Sequence, residues 1–196
     1  MNLISASNRS IVVDHLKNAR NSDIGVAFAF FDFTQRSSQT PAAIFGSFLN
    51  QLAENKMSIR KELENLYRKN IMRESRHLLP QIFEELKSAI DNYSKVFLIL
   101  DGLDELSEEN QNKVVTELQK LLNRQADAKV KLMVTSRPHL KTIKNNFCDA
   151  CELKIEASDQ DVRIYLASRI PDAVPFSQPE LRAKIIDEIT RKTQGM

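Results

Sequence analysis

Uninterrupted apolar runs along this chain predict its strands. The clearest is Val96–Leu100, five apolar residues in a row, which suits a strand of a parallel sheet buried on both faces. Three further segments rich in aromatic or branched residues also predict strands: Gly25–Phe33, the buried strand Val130–Thr135, and a last strand at Cys151–Ile155. We expect these strands to belong to one sheet.

Amphipathic stretches between the runs predict helices, because their apolar residues recur every three or four positions. Thr40 followed by Pro41 is a strong helix start, and Ser158 with Asp161 has the form of a capping box. The predicted helices are Ser10–Ala19, one from Thr40, Ile59–Arg73, Leu78–Tyr93, one from Ser107, Leu140–Phe147, one from Ser158, and Glu180–Thr193. Strands alternating with helices predict an α/β fold, with a parallel sheet covered by helices on both faces.

Charged residues follow two of the predicted strands at the point where each strand ends. Asp101, Asp104 and Glu105 come directly after the Val96–Leu100 run, and Arg137 follows the next strand along the chain. The carboxyl ends of parallel strands meet at one edge of a sheet, where open α/β sheets bind ligands. The first acid has the position of the Mg²⁺ ligand of a Walker B segment, and a later acid that of the group handling the attacking water. The arginine fork suits a terminal phosphate.

The usual partner of a Walker B segment is missing from these 196 residues. A phosphate-binding loop reads G-x-x-x-x-G-K-[ST], because backbone N–H groups must surround the phosphates and a lysine must reach them. None of the four glycines, Gly25, Gly46, Gly102 and Gly195, begins that pattern. We therefore expect this chain to bind nucleotide weakly or not at all.

Composition and charge exclude several other classes of protein. A net charge of +2 argues against a nucleic-acid-binding surface, and no apolar run is long enough for a membrane span. Two cysteines and no signal peptide predict a reducing, cytoplasmic setting. Cys148 and Cys151 form a C-x-x-C pair, so thiol redox chemistry is a distant alternative. Zinc would need two further ligands at suitable spacing, and the only histidines are His15, His77 and His139.

Two motifs together carry a family resemblance. The segment FLILDGLDEL at residues 97–106, combined with KLMVTSRP at 131–138, resembles the NACHT-type branch of the STAND P-loop NTPases, and looks closest to the nephrocystin-3-like N-terminal domain. The segment FFDF at 30–33 with the helix beginning at Thr40 is similar to the same family, as is ITRKTQGM at 189–196. The resemblance implies a three-layer α/β/α core at residues 1–157 that lacks the P-loop, and the start of a truncated helical lid at 158–196.

The resemblance also implies roles for individual residues. Asp101 would be the Mg²⁺ ligand, Asp104 and Glu105 the acids around the attacking water, and Arg137 the sensor of the γ-phosphate of ATP or GTP. It places the strand of the P-loop beside the strand that precedes Arg137, so we expect a short strand at Leu3-Ile4, a split sheet, or a chain that is a truncated product.

The resemblance suggests two functions. The chain is a fragment of a nucleotide-binding signalling or scaffold protein, or a non-catalytic module for protein–protein interaction and oligomerisation. Its expected partners are further copies of itself or full-length relatives.

Overall fold

A computed structural model describes residues 11–18, 22–54, 56–70, 78–123, 129–138, 141–155, 157–170 and 179–193. Leu3 and Ile4 lie outside the described residues. The chain divides into two compact units, Met1–Cys148 and Asp149–Met196.

The first unit contains a parallel sheet, as predicted. Its strands are β1 (Ile24–Phe30), β2 (Lys95–Asp101) and β3 (Val130–Val134), in the spatial order β1-β2-β3. Both pairings are parallel, so the three carboxyl ends lie at one edge of the sheet. The α/β class predicted from the sequence is confirmed.

Helices connect the strands at nearly the predicted positions. They are α1 (residues 11–18), α2 (Pro41–Ala53), α3 (Met57–Asn70), α4 (Leu78–Asp91), α5 (Glu108–Asn123), α6 (Lys141–Asn146), α7 (Asp159–Arg169) and α8 (Pro179–Thr193). Two predicted helix starts are confirmed. The Thr40 side chain accepts a hydrogen bond from the backbone N–H of Ala43, and Ser158 forms a complete capping box with Asp161.

Both faces of the sheet pack against helices. On the main face, strand residues such as Ala27 and Leu98 join buried residues of α2, α4 and α5 in one large core. On the second face, Val13 of α1 packs with Val26 and Ile99. This coverage of β1 and β2 confirms the predicted layering.

The first strand ends earlier than predicted. We expected a strand to Phe33, but β1 stops at Phe30 and a short 3₁₀ turn, Phe33–Gln35, follows. The cause is Asp32, whose side chain accepts the backbone N–H of Thr34 and thereby caps that turn.

Two predictions about the later strands are wrong. The strand ending at Val134 is not buried on both faces, because Lys131 and Met133 are exposed. No strand forms at Cys151–Ile155, which is irregular, with Leu153 80% and Ile155 78% exposed. A strand requires a neighbour for its backbone N–H and C=O groups, and alternating apolar residues alone do not provide one.

The second unit contains the helix pair α7 and α8. The Arg163 guanidinium lies 2.6 Å from the Asp187 carboxylate, and Arg182 donates a 2.6 Å hydrogen bond to the carbonyl oxygen of Ala167. No residue of α7 is buried. That residues 158–196 begin a lid over a nucleotide stays a prediction.

Candidate functional site

The candidate site lies at the carboxyl edge of the sheet, where β2 ends in Asp101. Asp101 is buried, with 8% of the residue exposed. Gly102 follows in the left-handed conformation, with φ 77° and ψ 41°, a region that glycine enters without the usual steric cost. The 3₁₀ turn Leu103–Glu105 then places two further acids beside the end of the strand.

Thr135, just past the end of β3, binds this turn through hydrogen bonds. Its backbone N–H donates to the carbonyl oxygen of Leu100 at 2.9 Å, and its own carbonyl accepts from Leu103 N–H at 3.0 Å. Its hydroxyl oxygen accepts from Gly102 N–H at 2.9 Å, and the hydroxyl donates to Asp101 Oδ1. The ends of β2 and β3 are therefore fixed relative to each other.

Arg137 contacts both acids of the 3₁₀ turn. Its backbone N–H donates to Asp104 Oδ1 at 3.1 Å, its Nε lies 3.3 Å from Asp104 Oδ2, and one terminal guanidinium nitrogen lies 3.6 Å from Glu105 Oε1. The Arg137 side chain is 63% exposed, whereas those of Asp104 and Glu105 are 10% and 21% exposed. The structure thus brings together all four residues singled out in the sequence.

Three more residues support the site and were missed from the sequence. Arg36 donates from Nε to the carbonyl oxygen of Glu105 at 2.7 Å, and buried Gln111 donates to the carbonyl of Leu106 at 2.9 Å. The third is Thr135. Gln111 could have been identified from the sequence, because it is a polar residue in register with the apolar stripe of α5. Arg36 could not, since it lies in an irregular segment without a pattern.

The carboxylates of the site suit Mg²⁺ only if waters and substrate phosphates supply its remaining ligands. Across the described ranges, no group of three or more His, Cys, Asp or Glu side chains is arranged to hold a metal ion. Mg²⁺ does not require such a cage, because it keeps several waters and binds one or two carboxylates together with substrate phosphates. Asp101 at the end of a strand suits that mode of binding.

Two other predictions concern features outside this group of residues. Cys148 and Cys151 are exposed free thiols, and their redox role stays a prediction. Within the part of the chain that the structure describes, no helix has both the length and the apolarity needed to cross a bilayer.

One comparison with known proteins identifies a family for this chain. A family model described as "Nephrocystin 3, N-terminal" matches residues 9–137, a span that contains Asp101, Asp104 and Glu105 and ends on Arg137. No curated protein matches the chain significantly. Among solved structures, that of C. elegans PCH-2 is similar at 16% identity and a TM-score of 0.32, over 85% of this chain and 45% of that one. Because the family model covers well over half of the sequence, the chain belongs to the nephrocystin 3 N-terminal family.

Proposed function

We propose that this chain carries the metal-binding and phosphate-sensing residues of a NACHT-type nucleotide-binding domain of a signalling or scaffold protein, without the phosphate loop of that domain. The observation that supports this most strongly is that Asp101, the last residue of β2, and Arg137, after β3, lie at one edge of a parallel sheet, where Arg137 pairs with Asp104. Asp101 would bind Mg²⁺ and Arg137 would contact the terminal phosphate of ATP or GTP. When bound, Mg²⁺ neutralises the charge that develops on the phosphate oxygens.

The two acids of the 3₁₀ turn have different surroundings, and we assign them different roles. Asp104 has both carboxylate oxygens engaged by Arg137, one by the backbone N–H and one by the side chain. It therefore positions Arg137. Glu105 is more exposed and makes only a 3.6 Å contact with the guanidinium. Glu105 is the acid that can reorient toward an attacking water and accept its proton.

The affinity for nucleotide is expected to be low because a phosphate loop is missing from these residues. The residues that would bind the metal and sense the phosphate are present, but these 196 residues hold no G-x-x-x-x-G-K-[ST] motif to surround the phosphates with N–H groups. We propose that this chain alone binds nucleotide weakly and does not hydrolyse it efficiently.

Weak binding at the proposed site is measurable by NMR with Mn²⁺ and ATP, because Mn²⁺ broadens the signals of nearby amides. We expect the Gly102 and Leu103 amide signals to broaden first and Asp101→Asn to abolish the effect. The control is Asp91→Asn, at the end of α4 and shortly before the amino end of β2. In this variant the amide signals should broaden as they do in wild type. Equal broadening in wild type and Asp101→Asn would refute the metal site.

A second candidate function is a non-catalytic module that associates with other copies or with full-length relatives. The ion pairs favour it, because the Arg137 guanidinium pairs with Asp104 and Glu105 and would have to leave them to contact a phosphate. The two candidates are separated by light scattering with and without Mg²⁺ and ATP. Self-association that is the same with and without nucleotide supports the interaction module. Self-association that requires nucleotide supports the nucleotide-binding domain. In either case we propose a cytoplasmic location, where thiols stay reduced.

A further inference from the structure

We infer that Thr135 is a positioning residue for Asp101, holding its carboxylate in the orientation that binds a divalent cation. The inference rests on the proposed function, which makes Asp101 the metal ligand. It adds a residue to which neither the sequence motifs nor the comparisons assign a role.

The direction of the Thr135 hydroxyl proton follows from its neighbours. A hydroxyl has one proton and two lone pairs, whereas a backbone N–H can only donate and an ionised carboxylate can only accept. The N–H of Gly102 donates to the Thr135 oxygen at 2.9 Å, so it occupies one lone pair. The single proton is then directed to Asp101 Oδ1.

The position of Thr135 itself does not depend on this hydroxyl. Its backbone N–H and C=O bind Leu100 and Leu103 at 2.9 Å and 3.0 Å, and these bonds continue the pairing of β2 with β3. Removal of the hydroxyl therefore leaves the strand ends in place. What is lost is the hydrogen bond that the Thr135 hydroxyl donates to the Asp101 carboxylate.

That hydrogen bond matters for metal binding because a carboxylate rotates readily about its Cβ–Cγ bond. A carboxylate fixed in advance loses less freedom when a cation binds. Residues that hydrogen-bond to metal ligands typically contribute about 10- to 100-fold in metal affinity. We expect the lower end of this range, roughly tenfold, because a single hydrogen bond is involved.

Mn²⁺ alone, followed through the Gly102 and Leu103 amide signals, tests the inference. Thr135→Val keeps the branched shape but removes the hydroxyl, and should raise the Mn²⁺ dissociation constant about tenfold. Thr135→Ser restores the hydroxyl and should return it to within about twofold of wild type on the same scale. The matched control is Thr116→Val on the exposed face of α5, where the hydroxyl donates only to the carbonyl of Asn112.

The possible outcomes distinguish a failure of the role of Thr135 from a failure of the proposed metal site. Equal Mn²⁺ affinity for wild type and Thr135→Val overturns the role of Thr135. If wild type and Asp101→Asn respond alike, the proposed metal site itself fails. Should Thr135→Val not fold, Thr135→Ala is measured in its place, and a Mn²⁺ affinity equal to that of wild type again overturns the inference.

Discussion

Gly102 allows the chain to turn out of β2 and present the acids of the site. Its φ of 77° lies in the left-handed region, where a side chain costs about 1–2 kcal/mol. A Cβ at this position would also lie 3.4 Å from Glu105 Cγ. The residue therefore couples the stability of the turn to the geometry of the acids.

Gly102→Ala should lower the free energy of unfolding by about 1–2 kcal/mol, measured by urea denaturation. Gly46→Ala is the matched control. Gly46 lies within α2, and a Cβ there would meet only Ile82 Cδ1, at 3.9 Å. Alanine favours a helix over glycine by about 1 kcal/mol, so this variant should be more stable than wild type. Destabilisation of equal size in both variants would argue against strain at Gly102.

Asp23 carries a charge-dependent contact at the opposite edge of the sheet, just before β1. Its pKa is held below the ordinary value, first by a hydrogen bond from the Ser94 side chain and then by the Lys56 ammonium, 3.5 Å away. A lowered pKa in the folded state means that the contact stabilises the protein above the unfolded value, about 3.9. The stabilisation is lost as the pH falls through the folded-state value.

The pKa of the Asp23 carboxyl is measurable by carbon-detected NMR as the pH is lowered. We expect Ser94→Ala and Lys56→Met each to raise it, because the Ser94 hydroxyl is the first cause of the lowering and the Lys56 ammonium also lowers it. A pKa unchanged by Ser94→Ala would show that the hydroxyl does not act on the carboxylate.

At the scale of elements, the contact between α2 and the segment before β2 depends on Tyr93. Its ring is buried, and its hydroxyl donates a 2.6 Å hydrogen bond to the carbonyl oxygen of Leu52. The ammonium of Lys56 lies 4.3 Å from the ring centroid. Gly25 of β1 lies against the same group, because a Cβ there would be 2.8 Å from Leu52 Cδ2.

Tyr93→Phe should lower the free energy of unfolding by about 1–2 kcal/mol, since a buried carbonyl loses its partner while the packing is kept. Tyr165→Phe, on the surface of α7, is the control and should change stability by less than about 0.5 kcal/mol. Urea denaturation measures both. Equal effects of the two substitutions would contradict a specific role for the Tyr93 hydroxyl.

The elements that sequence predicts well are those specified by local chemistry. Thr40 and Ser158 start helices because a hydroxyl at the N-cap accepts a free backbone N–H, whatever lies elsewhere in the fold. The segment at Cys151–Ile155 was predicted wrongly because a strand depends on a distant neighbour that its own residues do not reveal.

The candidate site likewise contains residues whose positions were predictable from the sequence and residues whose contacts were not. The positions of Asp101 and Arg137 at one edge were predictable because Asp101 ends an apolar run and Arg137 comes soon after the next predicted strand, and parallel topology brings such positions together. Asp104 and Glu105 followed from their spacing to Asp101. Thr135 and Arg36 were not predictable as partners, because their hydrogen bonds depend on the detailed register of strands and turns.

At the scale of the whole molecule, burial is uneven between the two units. Strand β2 is central in the described sheet, and most of its side chains are buried. In α7 no residue is buried, and α8 contributes Thr190 to the buried residues. Local opening is easiest where few side chains are buried.

Native-state hydrogen exchange should therefore separate the two units. We expect the amides of β2 to exchange only on global unfolding, and those of α7 and α8 to exchange much earlier through local opening. The dependence of exchange on low urea concentrations distinguishes the two routes. Protection of α7 equal to that of β2 would contradict this ranking of stability.

We propose, as the central claim, that this chain has the metal-binding and phosphate-sensing half of a nucleotide site without the loop that surrounds the phosphates. Isothermal titration of the chain with ATP and Mg²⁺ tests it most directly. We predict no saturable binding at micromolar concentrations of protein and nucleotide. Micromolar binding that Asp101→Ala abolishes would contradict the claim, because it would show a complete nucleotide site in the absence of a P-loop motif.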